Sequence, residues 1–169
     1  MGTTPGVRYV SAMISEVKDH IADTVIPLQN RVFYVFDQDD LEAHLSAVTL
    51  PFVAVMYAAM APYSGDNSAN PPKDYSFSSA VMQELTIAVV VVDEYHGAGV
   101  DHDANDFTKH SITDLLDDAR YAMLGYMGAQ NLRPWQWVGE SPLDTSLKNA
   151  VMYGQQWRTL VAMKKTQSN

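Results

Sequence analysis

The chain has 169 residues, 47% of them hydrophobic and 18% charged, with no cysteine and a formal net charge of −9. This length suits one domain whose core needs no covalent staples, and the absence of cysteine excludes disulfide frameworks, thiolate-bound zinc, iron–sulfur clusters and thiol catalysis. Eleven Lys and Arg are scattered among twenty Asp and Glu, a balance that argues against clamping nucleic acid by its phosphates but suits a surface past which DNA must slide without sticking.

Residues 1–6 lead into a polar-striped segment rather than the apolar core of a signal peptide. Thr4 and Pro5 read as N-cap and first helical residue. Val10, Met13, Ile14, Val17 and Ile21 then recur on one helical face, with Glu16, Lys18, Asp19 and Asp23 towards the other. The spacing predicts an amphipathic helix of about four turns that stops before Pro27. Residues 31–36 (RVFYVF) read as a short strand, and Asp39 followed by Glu42 as the capping box of a short helix through Ala47.

Residues 49–59 (TLPFVAVMYAA) predict a second strand, with Pro51 near its start, where a missing N–H is tolerable. Residues 82–94 (MQELTIAVVVVDE) predict a third, whose apolar run from Ile87 to Val92 does not alternate. Both of its faces should therefore be covered, which places it centrally. The apolar runs at 50–61 and 85–92 fall short of the roughly 20 residues a membrane helix needs, so a cytosolic product without membrane association is expected.

Between these strands, residues 62–79 hold three Pro, one Gly and five Ser with no period. Segments of this kind are functional or disordered. Tyr63, Tyr75 and Phe77, set among small polar residues, suit an adaptable contact arm.

After a Gly- and Asp-rich connection, Ile112, Leu115, Leu116, Ala119, Met123 and Tyr126 share a helical face, with Gly125 or Gly128 as the stop and Pro134 beyond. Residues 135–139 and 151–163 close the chain as strands, the latter with Val151, Tyr153, Trp157, Val161 and Met163 on one face. Trp135 and Trp137 point the same way on one strand, so a stacking pair with a neighbour is expected there, in core or interface. Strands joined without a helix should pair antiparallel. The chain is expected to be a single α+β domain over residues 1–169: a mixed or antiparallel sheet with two main helices on one face, plus a short helix.

The strongest chemical pattern is Asp93, Glu94 and His96 followed by Asp101, His102, Asp103, Asn105 and Asp106. Asp101, Asp103 and Asn105 match the first ligand positions of a calcium loop, but Asp106 occupies the turn-glycine position and Ile112 that of the bidentate Glu. A divalent site on His96, His102 and neighbouring carboxylates would suit a small metal-dependent hydrolase; the competing reading is a solvated acidic connection whose carboxylates cap the next helix. Neither a G-x-S-x-G elbow nor a phosphate-binding glycine loop occurs. His20 and His44 fall on helix surfaces, and the neighbours Asp117 and Asp118 diverge by about 100° around a helix. The expectation is a protein without catalytic residues, metal or cofactor.

The layout resembles the tail terminator (tail-completion) proteins of tailed bacteriophages. The resemblance rests on the leading helix, on DLEAHLSAVTLPFVAVMY, on QELTIAVVVV, on ITDLLDDARYAML, and on the closing WQWVGES and VMYGQQWRTLVAM, and it covers roughly residues 7–164. It implies a non-enzymatic virion protein, assembled in the host cytoplasm. Such proteins form a ring homo-oligomer, a hexamer, at the head-proximal end of the tail. The ring caps the tail tube protein, docks neck or head-completion proteins and lets DNA pass through its lumen without specific binding. On this reading Tyr63, Tyr75, Phe77, Trp135 and Trp137 are interface candidates, and Asp101, Asp103, Asp106, Asp114, Asp117 and Asp118 are candidates for an acidic lumen. The alternative of the same class is another neck or tail-tube ring subunit.

Overall fold

The computed structural model describes residues 9–25, 28–63, 80–94, 111–147 and 149–164. In chain order the elements are α1 (Tyr9–Thr24), β1 (Val32–Val35), α2 (Gln38–Ala47), β2 (Phe52–Pro62), β3 (Ala80–Glu94), α3 (Ile112–Met123), β4 (Gln136–Leu143) and β5 (Ala150–Lys164). The strands form one five-stranded mixed sheet in the order β1-β2-β3-β5-β4. β1 and β2, bridged by α2, run parallel, and every other neighbouring pair is antiparallel.

β3 is central, as its unbroken apolar run predicts. Ile87, Val89 and Val91 face α1 and α3, against Met13, Ile14, Val17 and Ile21 of one helix and Leu115, Leu116, Ala119 and Met123 of the other. Val90 and Val92 face the opposite way with Phe52, Ala54 and Met152, beneath Leu41 and Leu45 of α2. Each such fully buried side chain contributes about 1.5–3 kcal/mol. The two main helices thus share one face, and the short helix covers the other.

β2–β3 and β4–β5 pair antiparallel, as expected. β5 inserts between β3 and β4 because it offers β3 the longer partner: the ladder runs from Ala80↔Lys164 to Glu94↔Ala150. The shorter and mostly exposed β4 is left at the edge.

The helix ends show local chemistry. Ser111 and Asp114 form a capping box at the start of α3, each accepting a backbone N–H of the other. Gly125, at φ +74, takes the left-handed conformation just past its end. The cap of α2 departs from expectation: it is Asp37, whose carboxylate accepts Asp40 N at 2.9 Å. Asp39 already lies inside the first turn, where helical backbone angles turn its side chain away from the free N–H groups. Among the described residues no helix is long and apolar enough to cross a membrane.

Candidate functional site

The sheet ends in two edges of different character. Among the described residues β4 pairs only with β5, and seven of its eight residues are exposed. Trp137, Val138 and Leu143 are large apolar side chains left at the surface. On the other side, β1 stops at Val35↔Met56, so beyond Met56 the outer rim of β2 has no strand beside it among the described residues. This overhang comprises Tyr57, Ala58, Ala59, Met60, Ala61 and Pro62, all exposed except the half-buried Met60. An open edge presents a row of unpaired backbone N–H and C=O groups to another strand.

The β4 edge is held firmly from behind. Arg120 of α3 lies over the Trp137 ring at 5.0 Å, donates to Glu140 at 2.9 Å and also pairs with Asp117. The buried Gln155 donates from Nε2 both to Leu116 O (2.8 Å) and to Glu140 (3.0 Å), while Trp157 Nε1 donates to Gln155 Oε1 (3.4 Å). Trp137 meets Trp157 edge-on, ring centroids 5.2 Å apart. The side chains of α3, β4 and β5 are therefore one connected polar and aromatic lattice, which orders the edge before any partner arrives. A bulge between Trp137 and Gly139, and Pro142 with no N–H, limit the registers a partner strand can adopt.

The expected contact residues separate. Trp137 is 39% exposed and makes the anticipated aromatic pair, with Trp157. Trp135 is buried within the chain. It precedes β4 and is 3% exposed: its backbone N–H donates to Tyr126 O, and its ring packs in the α1/α3 core. Tyr63 is half-buried and extends the β2–β3 ladder by donating its N–H to Met82 O. Tyr75 and Phe77 lie outside the described residues, as do Asp101, Asp103, Asp106, His96 and His102. Of the remaining acids, Asp114 is occupied in the α3 cap, Asp117 pairs with Arg120, and Asp118 is half-buried.

Among the described residues no three of His, Asp and Glu gather as metal ligands. The two described histidines are engaged locally: His44 Nδ1 lies 2.8 Å from Asp40 O, and His20 Nε2 lies 2.8 Å from Ala122 O.

A second feature escaped the sequence reading. His20 stacks on Tyr126, and around this pair Tyr121, Leu124 and Met127 stand exposed where α3 ends. Their spacing of three, continuing past Gly125 on a face other than the buried one, is the signal that could have found it. No protein-family profile matches the chain, and no curated protein matches it.

Proposed function

We propose that the chain is a structural assembly protein that closes into a ring by joining its two unlike sheet edges, the β4 edge of one copy to the β2 overhang of the next. The single observation that supports this is the presence of both edges on one subunit: a pre-ordered strand with exposed apolar side chains at one rim, and at the other a six-residue stretch, Tyr57 to Pro62, whose outer rim has no strand beside it among the described residues. A contact between unlike surfaces is head-to-tail, and it gives a closed ring when its rotation divides a full turn. Strand pairing suits a chain that carries few charges for docking, 18% against the roughly 25% typical of soluble domains.

Together with the resemblance to tail terminators, this supports a ring, a hexamer, at the head-proximal end of a phage tail, with the tube protein below it and a neck protein above. The net charge of −9 suits a lumen through which DNA slides. Native mass measurement with electron microscopy of the purified chain tests the proposal. Isolated closed rings are expected. Long polymers would favour a tube subunit instead, and a strict monomer would refute both.

A further inference from the structure

Of eight exposed large apolar side chains among the described residues, three stand together: Tyr121 (76% exposed), Leu124 (61%) and Met127 (50%). With Thr24, His20 and Tyr126 they line an open groove of about 580 Å³ between the end of α1 and the turn that leaves α3. The groove is preformed. His20 and Tyr126 are parallel, with centroids 3.6 Å apart and planes 3° from coincidence, and His20 Nε2 is tied to Ala122 O. A rigid aromatic floor spares a ligand the cost of ordering its site.

The rim is acidic. Asp19 and Asp23 are exposed on the last turns of α1, flanking His20 in sequence. Glu16, one turn back, accepts Ala129 N at 3.1 Å, on the same loop that carries Met127. Burial first, then the charges of Glu16 and Asp19, push the Tyr126 hydroxyl up to about 12, so the field of those carboxylates reaches the floor. The cations nearby are already engaged. Lys18 is paired with Asp19 at 2.8 Å and offsets one of these three carboxylates, and Arg120 turns away to Asp117 and Glu140. A largely apolar groove over a stacked aromatic pair, with more carboxylates than cations beside it, complements a cation carried beside an apolar anchor.

A second copy of this chain fits poorly, because it brings a net charge of −9 to these carboxylates, and its described arginines are all committed. Arg31 donates to the carbonyls of Leu50 and Pro51, Arg120 to Asp117 and Glu140, and Arg133 and Arg158 both lie against Glu84. We propose that the groove docks a short basic segment of a different protein, an arginine or lysine set next to a leucine-like anchor. The groove lies at the α1/α3 side of the fold and the inference stands apart from the edge-pairing proposal.

The test uses the full chain and a fluorescein-labelled peptide of alternating arginine and leucine, with a glutamate–leucine peptide of the same length as its counterpart, read by fluorescence anisotropy. The basic peptide should bind and the acidic one should not. The double variant Leu124→Ser with Met127→Ser should weaken binding by about tenfold or more, and Asp19→Asn with Asp23→Asn several-fold. Asp39→Asn on α2, remote from the groove, should leave binding unchanged. All these positions are exposed, and circular dichroism confirms that the variants remain folded.

Absence of binding, binding unaffected by the groove variants, or equal loss in Asp39→Asn would overturn the proposal. Native mass is measured on the same samples. Groove variants that keep the wild-type assembly while losing the peptide support it. Variants that lose assembly together with the peptide would make the groove a contact between copies and overturn it. A wild type that never assembles would refute the ring alone, while the peptide result would still decide the groove.

Discussion

His20 and Tyr126, 106 positions apart in the chain, lie ring on ring at 3.6 Å and join the end of the first helix to the exit of the last. The tyrosine is partly buried and faces Glu16 and Asp19, and both effects hold its proton. In the unfolded chain its pKa returns to about 10. The folded state therefore binds this proton more tightly, and its contribution is complete below pH 10. It is lost as pH rises from about 10 through about 12. In a spectrophotometric titration of the nine tyrosines, a late fraction is expected that Tyr126→Phe removes and Asp19→Asn moves to lower pH. Denaturant unfolding between pH 9 and pH 11, about one unit either side of the free tyrosine value, should show less alkaline destabilisation in Tyr126→Phe.

The cap of α2 separates two readings of one acidic run. Asp37→Ala removes the acceptor for Asp40 N and should lower stability by about 0.5–2 kcal/mol. Asp39→Ala, at an exposed position within the first turn, should change it by no more than about 0.5 kcal/mol. Urea denaturation of the two variants decides between the caps.

Trp157 is the largest wholly buried side chain, at 0% exposure, packed edge-on against Trp137 and bonded to Gln155. Trp157→Ala should cost about 3–5 kcal/mol and should also loosen β4, since the lattice behind that edge passes through Gln155. Chemical denaturation measures the first effect. Hydrogen exchange at the amides of β4 and β5 measures the second.

Arg120 tests whether edge order matters for assembly. Its side chain is about one-third exposed, so its ion pairs are screened, and Arg120→Ala should cost only about 1 kcal/mol of stability. By freeing Glu140 and Trp137 it should nevertheless slow ring formation. Light scattering during assembly, alongside thermal unfolding, separates the two quantities.

Much of the fold was legible where one physical pattern acts alone. The stripe Met13, Ile14, Val17 and Ile21 is buried as its spacing predicts, and the non-alternating run of β3 lies under helices on both faces. Legibility failed where long-range competition decides. Asp37 and Asp39 are equally good caps by type, and only the end of β1 at Val35 settles which one starts the helix. Trp135 looks like a partner of Trp137 two residues away, but its backbone N–H is recruited by the carbonyl of Tyr126 and the ring turns inward. The groove is built from His20 and the 121–127 segment, brought together only by packing of α1 against α3, so no local window of sequence contains it. The open edges were foreseeable as a class, but which strands form them follows from the insertion of β5.

The most direct test blocks each edge in turn. Lysine is placed at Val138 of β4 in one variant and at Ala59 of the β2 overhang in another, both exposed positions at which a charge opposes strand pairing. Native mass of the wild type, of each variant, and of the two mixed is then compared. If unlike edges pair, the wild type forms rings and each variant alone stays monomeric. The mixture then forms a dimer that goes no further, because each variant retains the edge the other needs. Rings that persist in both variants, or a mixture that remains monomeric, would contradict edge-to-edge closure.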